Sequence, residues 1–540
     1  MDRNLAKNSN VLIIDEQVLA QGYMKYALQE LGFEKISYVE QADKALNRIQ
    51  AEEFDLIICS YHLKKEQEGY SLYEYLISER IIPESTAFVF ISSETNADIV
   101  QSIIELQPDE FLVKPFTVND ISRRLTRILK RKKVLKDIYQ LMHKDLNEQA
   151  LDAVETFLTS PDKSEFFPIA LKLKGELLLL CEQYEQAKEF YQAIINVQNF
   201  AWAQLGMVKS LMALDQDDEA EKLLLRLAFK ADAQVKAFDL LADIQIKQKD
   251  FDMALESTLL AAELSPRNIK RHQYAMQLSR LTHDHQTLFE ISKKVVRYAR
   301  NSVYEQPQIY LNAARAGIDY AMTAGPEQCN LLLKQCNEYL KRFNKTFPKA
   351  QMSEPLKVIH ARMHYLQDEK HKAEALLNQL DDNNWSRDSM EDLLDKAKAF
   401  HEIGLYEKSM RLLNEIERRC RQYPDQGKIF LRYILQEKQE RHAIRYSPKE
   451  LNNAGVSFYQ TGDIHGAMKI FRQAFRVMPK NPAIALNLLQ AIALRLREQS
   501  LTDNIRSTMK RCIYTIENSN LTQDQEERYQ KVTRFFEEVA

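Results

Sequence analysis

The sequence predicts two fold classes in one chain: a doubly wound α/β parallel sheet, then an all-α array of stacked helix pairs. Three observations carry this. Between residues 10 and 116, short β-branched runs alternate with amphipathic segments. After about residue 134 the strand pattern stops, and small and large residues recur about every 34 positions. Glycine (12) and proline (14) are scarce for 540 residues, which favours long helices with short connections.

The five apolar runs are NVLIID (10–15), ISYV (36–39), DLIIC (55–59), TAFVFI (86–91) and EFLV (110–113). They are short and almost wholly apolar, as strands covered on both faces should be. Helical patterns lie near 18–31, 41–51, 71–80 and 96–106, with another from 117. Ser71 followed by Glu74 has the form of a capping box opening the third helix. In such a sheet, ligands bind beyond the carboxyl ends of the strands. The residues just past those ends are Asp15 and Glu16, Ser60, Ser92, and Lys114 with Pro115. Two acids, a lysine and two hydroxyls are expected to converge on one edge.

The helical part repeats visibly. Residues 237–266 place Phe238, Leu241, Ala242, Ala254, Ala261 and Pro266 at set offsets. Residues 450–479 place Leu451, Ala454, Gly455, Ala467, Phe471, Ala474 and Pro479 in register. A third copy holds Gly175, Ala187 and Tyr191, and weaker copies start near Trp202 and Leu393. Small residues let paired helices approach, large ones fill the gap, and neighbouring pairs must stack to bury their faces. Ser447-Pro448-Lys449-Glu450 reads as a helix start. The stretch 269–390 is less regular, with breaks at Pro307, Pro326, Pro348 and Pro355.

The formal net charge of −3 gives no global pull toward nucleic acid or anionic membrane. The six cysteines form no C-x-x-C pair, which fits a reducing, cytoplasmic setting. The N-terminal MDRNLAKNSN lacks a signal-peptide core, and LLLLC (177–181) is too short to span a bilayer. Cys59 is expected in the core. The run SRRLTRILKRKKVLKD (122–137) is strongly basic. It reads as the solvated face of a final helix running into a linker, with nucleic-acid or lipid contact as the alternative. His360 and His364 stand four apart, as metal ligands can, but without a glutamate after the first or an obvious third ligand. A surface or groove pair is the expected reading. No phosphate-cradling glycine motif and no Cys/His nucleophile constellation stands out.

VLIIDE (11–16), FDLIICSYHL (54–63), FVFISS (88–93) and FLVKPF (111–116) together resemble the receiver domain of bacterial response regulators, over about residues 8 to 130. The repeats resemble a tetratricopeptide-repeat array. The resemblance implies a five-stranded sheet in the flavodoxin-like order 2-1-3-4-5, followed by a repeat superhelix. It divides the chain into a receiver-like domain (1–121), a basic final helix and linker (122–137) and the array (138–540). In that family an acidic pair and an acceptor aspartate hold Mg²⁺, and the aspartate takes up a phosphoryl group. By position, Asp15 and Glu16 would be metal ligands, Lys114 the phosphoryl partner, Ser92 the switch hydroxyl and Phe111 the switch aromatic.

Ser60 stands where the acceptor aspartate is expected. Asp55 is five residues earlier, about 17 Å away along a strand, and cannot replace it. A neutral hydroxyl weakens the Mg²⁺ site and needs a general base to act as nucleophile. The expectation is therefore a non-enzymatic adaptor. Its receiver half would dock a histidine kinase, a phosphotransfer protein or another response regulator, and its repeats would hold a second protein. The alternative is a phosphorylation-switched regulator with another acceptor: a phosphoserine at Ser60, or Glu66 or Glu68 in the following loop. A homodimer stays open as a further arrangement.

Overall fold

The structure is a computed structural model describing residues 3–63, 68–93, 102–103, 105–300, 302, 304–322, 324, 326–367, 369–380, 385, 388–422, 424–443, 448–477, 482–496, 503–517, 521 and 523–539. Glu66 and Ser447 lie outside the described residues, as does much of the helix expected over 96–106. The chain divides into two compact units. One is Met1–Ala275 with Arg297–Glu305; the other is Met276–Val296 with Gln306–Ala540.

The first unit opens with α1 (Arg3–Asn8), β1 (Asn10–Ile14), α2 (Val18–Glu30), β2 (Lys35–Val39), α3 (Ala42–Ala51) and β3 (Leu56–Ser60). There follow α4 (Glu68–Ser78), β4 (Ala87–Ser92), β5 (Glu110–Val113) and α5 (Val118–Val134). All strand pairs are parallel, in the order β2-β1-β3-β4-β5. Strand alternation sorts the core into two layers. Leu12, Ile14, Ile57, Cys59, Phe88 and Phe90 pack toward α3 and α4. Val11, Ile13, Leu56, Ile58, Val89 and Ile91 pack toward α2 and α5. Burial on both faces is why the strands read as unbroken apolar runs.

One helix start differs from expectation. Helix α4 begins at Glu68, so Ser71 and Glu74 lie inside it and do not form its cap. Gly69 explains the earlier start. A β-carbon there would collide with the Ser60 carbonyl oxygen, so only glycine lets the first turn close against the end of β3. The capping box of this domain belongs to α5. Thr117 Oγ1 accepts from the Asp120 N–H, and Asp120 returns the bond to the Thr117 N–H.

Past α5, every regular element among the described residues is helical. Helix Lys136–His143 follows at once, and pairs then begin at Phe167, Ala201, Gln234 and Ile269, 33 to 35 residues apart. Tyr191 shows the small–large logic, because its ring lies where β-carbons at Gly175 and Gly206 would be. Phe471 does the same against Gly455 in the second unit, 2.5 Å from the β-carbon position. In the irregular stretch, Pro307 and Pro326 begin helices, and Pro355 sits in the first turn of Ser353–Leu366. At a first turn the missing N–H of proline costs nothing. Pro448 likewise begins a helix.

Candidate functional site

The carboxyl ends of β1, β3, β4 and β5 bring the expected residues to one edge. Asp15 is buried just past β1, and its Oδ1 accepts from the Gln17 N–H at 2.9 Å. Lys114 Nζ lies 3.5 Å from Asp15 Oδ2. Its main-chain N–H donates to the Ser92 carbonyl at 2.8 Å, and the Lys114–Pro115 peptide is cis. Ser92 is buried at the end of β4. Ser60 is half-buried at the end of β3, in register with Ile91, one residue from Ser92. Glu16 is half-buried beside Asp15. Phe111 pairs in register with Phe90 and packs on the α3–α4 side of the sheet. Glu68 opens α4. Burial, with the charges of Asp15 and Glu68 nearby, pushes the Cys59 thiol well up, so this cysteine is an inert core group.

The donor set does not match the one that the resemblance implies for Mg²⁺. Two carboxylates remain, one already paired with Lys114, and the third position offers a neutral hydroxyl. Among the described residues no group of three or more His, Cys, Asp or Glu side chains could hold a metal ion. Hard divalent cations take carboxylate-rich oxygen sets.

Sequence reasoning missed the neighbours of this edge. Tyr61, directly after Ser60, is fully buried among Tyr70, Phe90 and His62. Its hydroxyl accepts from Arg267 Nη1 at 2.7 Å. Glu105 accepts from Asn268 Nδ2 at 2.8 Å and from Arg271, whose guanidinium also makes a bidentate pair with Asp239 at 2.8 and 2.7 Å. Although burial opposes it, Arg271 holds the Glu105 carboxyl below its usual range. No local pattern signals contacts between residues more than 160 apart. A second feature could have been read: α2 places Val18, Leu19, Tyr23 and Tyr26 on one stripe. They are exposed, Val18 by 71% and Leu19 by 89%. The Tyr23 hydroxyl donates to the Phe116 carbonyl at 3.1 Å, which puts the stripe beside the Lys114 loop.

The basic run is largely spent inside the fold. Arg124 and Arg127 pair with Glu110, and Arg131 and Lys132 with Asp109. Ile121, Leu125, Ile128 and Leu129 of the same helix are buried. Arg123, Lys130 and Lys133 remain exposed. His364 Nδ1 lies 2.6 Å from Glu369, and His360 is exposed.

Residues 11–126 match the response regulator receiver domain. Among curated proteins, the chain is similar to a probable chemotaxis protein CheY of Rhizobium etli, 24% identical over 127 residues, 23% of this chain and 95% of that protein. It is similar to chemotaxis protein CheY-3 of Vibrio cholerae, 22% identical over 131 residues, 24% of this chain and 99% of that protein. It is also similar to the transcriptional activator protein IrlR of Burkholderia pseudomallei, 28% identical over 121 residues. That match spans 22% of this chain and half of IrlR's length. Among solved structures, the receiver domain of sensor histidine kinase PA1611 from Pseudomonas aeruginosa, with magnesium ion in its cleft, aligns with 23% of this chain and 98% of its own. The identity is 17% and the TM-score 0.21. Residues 11–126 are thus a receiver domain of two-component signalling, and the remainder is helical. Among the described residues no helix is long and apolar enough to cross a membrane.

Proposed function

We propose that this chain is a phosphate-independent, non-enzymatic adaptor of two-component signalling in the cytoplasm. The observation that carries the reading is Ser60 at the end of β3, where the receiver family places its acceptor, beside a Lys114–Asp15 pair that balances itself. A serine hydroxyl there has no carboxylate to offer a phosphoryl group, and Asp15 and Glu16 form a weakened Mg²⁺ site. Ser92 and Phe111 then keep the places of a switch pair without a phosphoryl group to drive them. The exposed α2 stripe is an apolar patch beside the site, suited to a helical histidine kinase or phosphotransfer protein, or to another response regulator. By holding such a partner the chain would compete with a phosphorylatable receiver. The helix pairs, read as a tetratricopeptide-type array, would bind a second protein.

The test is phosphate uptake from acetyl phosphate with Mg²⁺, comparing the natural chain with Ser60→Asp. Label on the substituted chain alone is expected. Label on the natural chain, retained by a peptide containing Ser60 or Glu66–Glu68, would establish the other reading, a regulator with a different acceptor.

A further inference from the structure

In the second unit, helix Pro424–Ala443 stands singly between the pair Met390–Glu402 and Tyr406–Gln422 and the pair Pro448–Gln460 and Ile464–Val477. Ile429, Phe430, Tyr433, Ile434 and Glu437 form its buried stripe. Phe430 lies under the Arg280 guanidinium, 5.9 Å from its ring centre. Arg280 in turn makes a bidentate pair with Glu391, 2.8 Å at both oxygens. Tyr433 lies under Lys398 Nζ at 5.8 Å and donates to Glu437 at 2.9 Å. Glu440 lies 3.1 Å from His283 Nε2. One helix face therefore touches residues 280–283 and residue 398. In a stack where each pair meets only its neighbours, such distant pairs do not touch. Here the helix fills the hollow between them.

The hollow is lined with charge. Helix Met390–Glu402 is buried at every position from Asp392 to Glu402. Arg362, only 2% exposed, binds Asp319, Asp395 and Glu402, while Arg315 binds Asp392 and Asp395, and Lys398 binds Asp319. An apolar core would resist opening. A lining of ion pairs regains hydration when opened, so displacing the helix that covers it is comparatively cheap.

We propose that this hollow is a helix-binding groove with Pro424–Ala443 as its resident occupant. Its exchange partner is an amphipathic helix of another protein with the same signature: two aromatics three apart, then carboxylates four and seven residues after the second. Phe430, Tyr433, Glu437 and Glu440 supply that signature here, and Arg280, His283 and Lys398 are its complement. Despite burial, Arg441 and Lys398 hold Glu437 down at about 2, so it enters the groove charged. The proposal rests on the adaptor reading only in giving the helical array a protein ligand.

The probe is a fluorescein-labelled peptide of residues 424–443, titrated into the natural chain and into the full-length Phe430→Ala, Tyr433→Ala variant. Removing both anchors from the resident helix should vacate the groove, so the variant binds the peptide at least about tenfold more tightly than the natural chain. A peptide with the same two alanines should bind neither. A variant that keeps its helical circular dichroism but gains no affinity overturns the proposal. If the variant unfolds, hydrogen exchange on the natural chain decides. Amides of 428–441 exchanging well ahead of 390–402 support a displaceable helix, and equal protection overturns it. Either result leaves the receiver reading to the phosphate experiment.

Discussion

Glu74→Gln should stabilise the first unit at alkaline pH and leave it unchanged at pH 4.5. Glu74 is buried on α4, and burial with the nearby Glu105 carboxylate raises its pKa from the ordinary 4.5 to about 7. Lys270 and Arg271 pull the other way, but the Arg271 guanidinium is engaged by Glu105 and Asp239. The folded carboxyl keeps its proton up to about pH 7, while the unfolded one loses it near 4.5. Between those values the folded state binds more protons, so stability falls as pH rises and the loss is complete above 7. A shift of this size is worth roughly 3 kcal/mol. Glutamine keeps the size and cannot ionise, so it removes that loss. The assay is hydrogen exchange of the 68–78 amides, comparing variant with natural chain at each pH. At pH 8 the variant should exchange roughly a hundredfold more slowly, and at pH 4.5 at the same rate. Equal rates at both pH values would refute the reasoning.

Three further substitutions probe separate parts. Arg362→Leu leaves Asp319, Asp395 and Glu402 buried without their shared cation, so it should cost about 3 to 5 kcal/mol in thermal or urea unfolding of the second unit, and no change would show the network to be dispensable. Gly206→Ala drives a β-carbon into the Tyr191 ring and should cost about 1 to 3 kcal/mol, partly recovered by Tyr191→Leu in the same chain. Ser60→Asp should raise Mg²⁺ affinity by about tenfold or more in calorimetry, and unaltered affinity would count against this edge as a metal site.

The strands were legible because a parallel sheet buried on both faces leaves an unbroken apolar record, and their ends fell within a residue or two of expectation. The Asp15–Lys114 encounter was legible for a related reason, since parallel strands deliver all their carboxyl ends to one edge. Ser71 misled because a capping pattern in sequence cannot show that Gly69 lets the helix start earlier, against the Ser60 carbonyl. The basic run was read as a solvated face, yet Asp109 and Glu110 engage four of its charges, a pairing visible only once β5 and α5 are packed together. Arg315 and Arg362 show the harder limit. Charged residues on a helix read as its wet side, and only the tertiary arrangement reveals that this side has been covered.

The substitution at position 60 also accounts for the quiet electrostatics of the edge. Asp15 and Glu16 against Lys114 leave one formal negative charge. An aspartate at 60 would leave two, crowded where backbone carbonyls already converge, and like charges so placed repel unless a cation sits among them. With Ser60 that demand is gone. Lys114 can lean on Asp15 at 3.5 Å, and the Gln17 N–H completes the carboxylate. Tyr61, one residue on, is fixed from outside the sheet by Arg267 at 2.7 Å. A site that needs neither metal nor phosphate to settle its charges is set by its packing partners. That is the physical basis for reading this receiver as a docking frame, shifted by whichever protein binds it differentially, rather than as a phosphate switch.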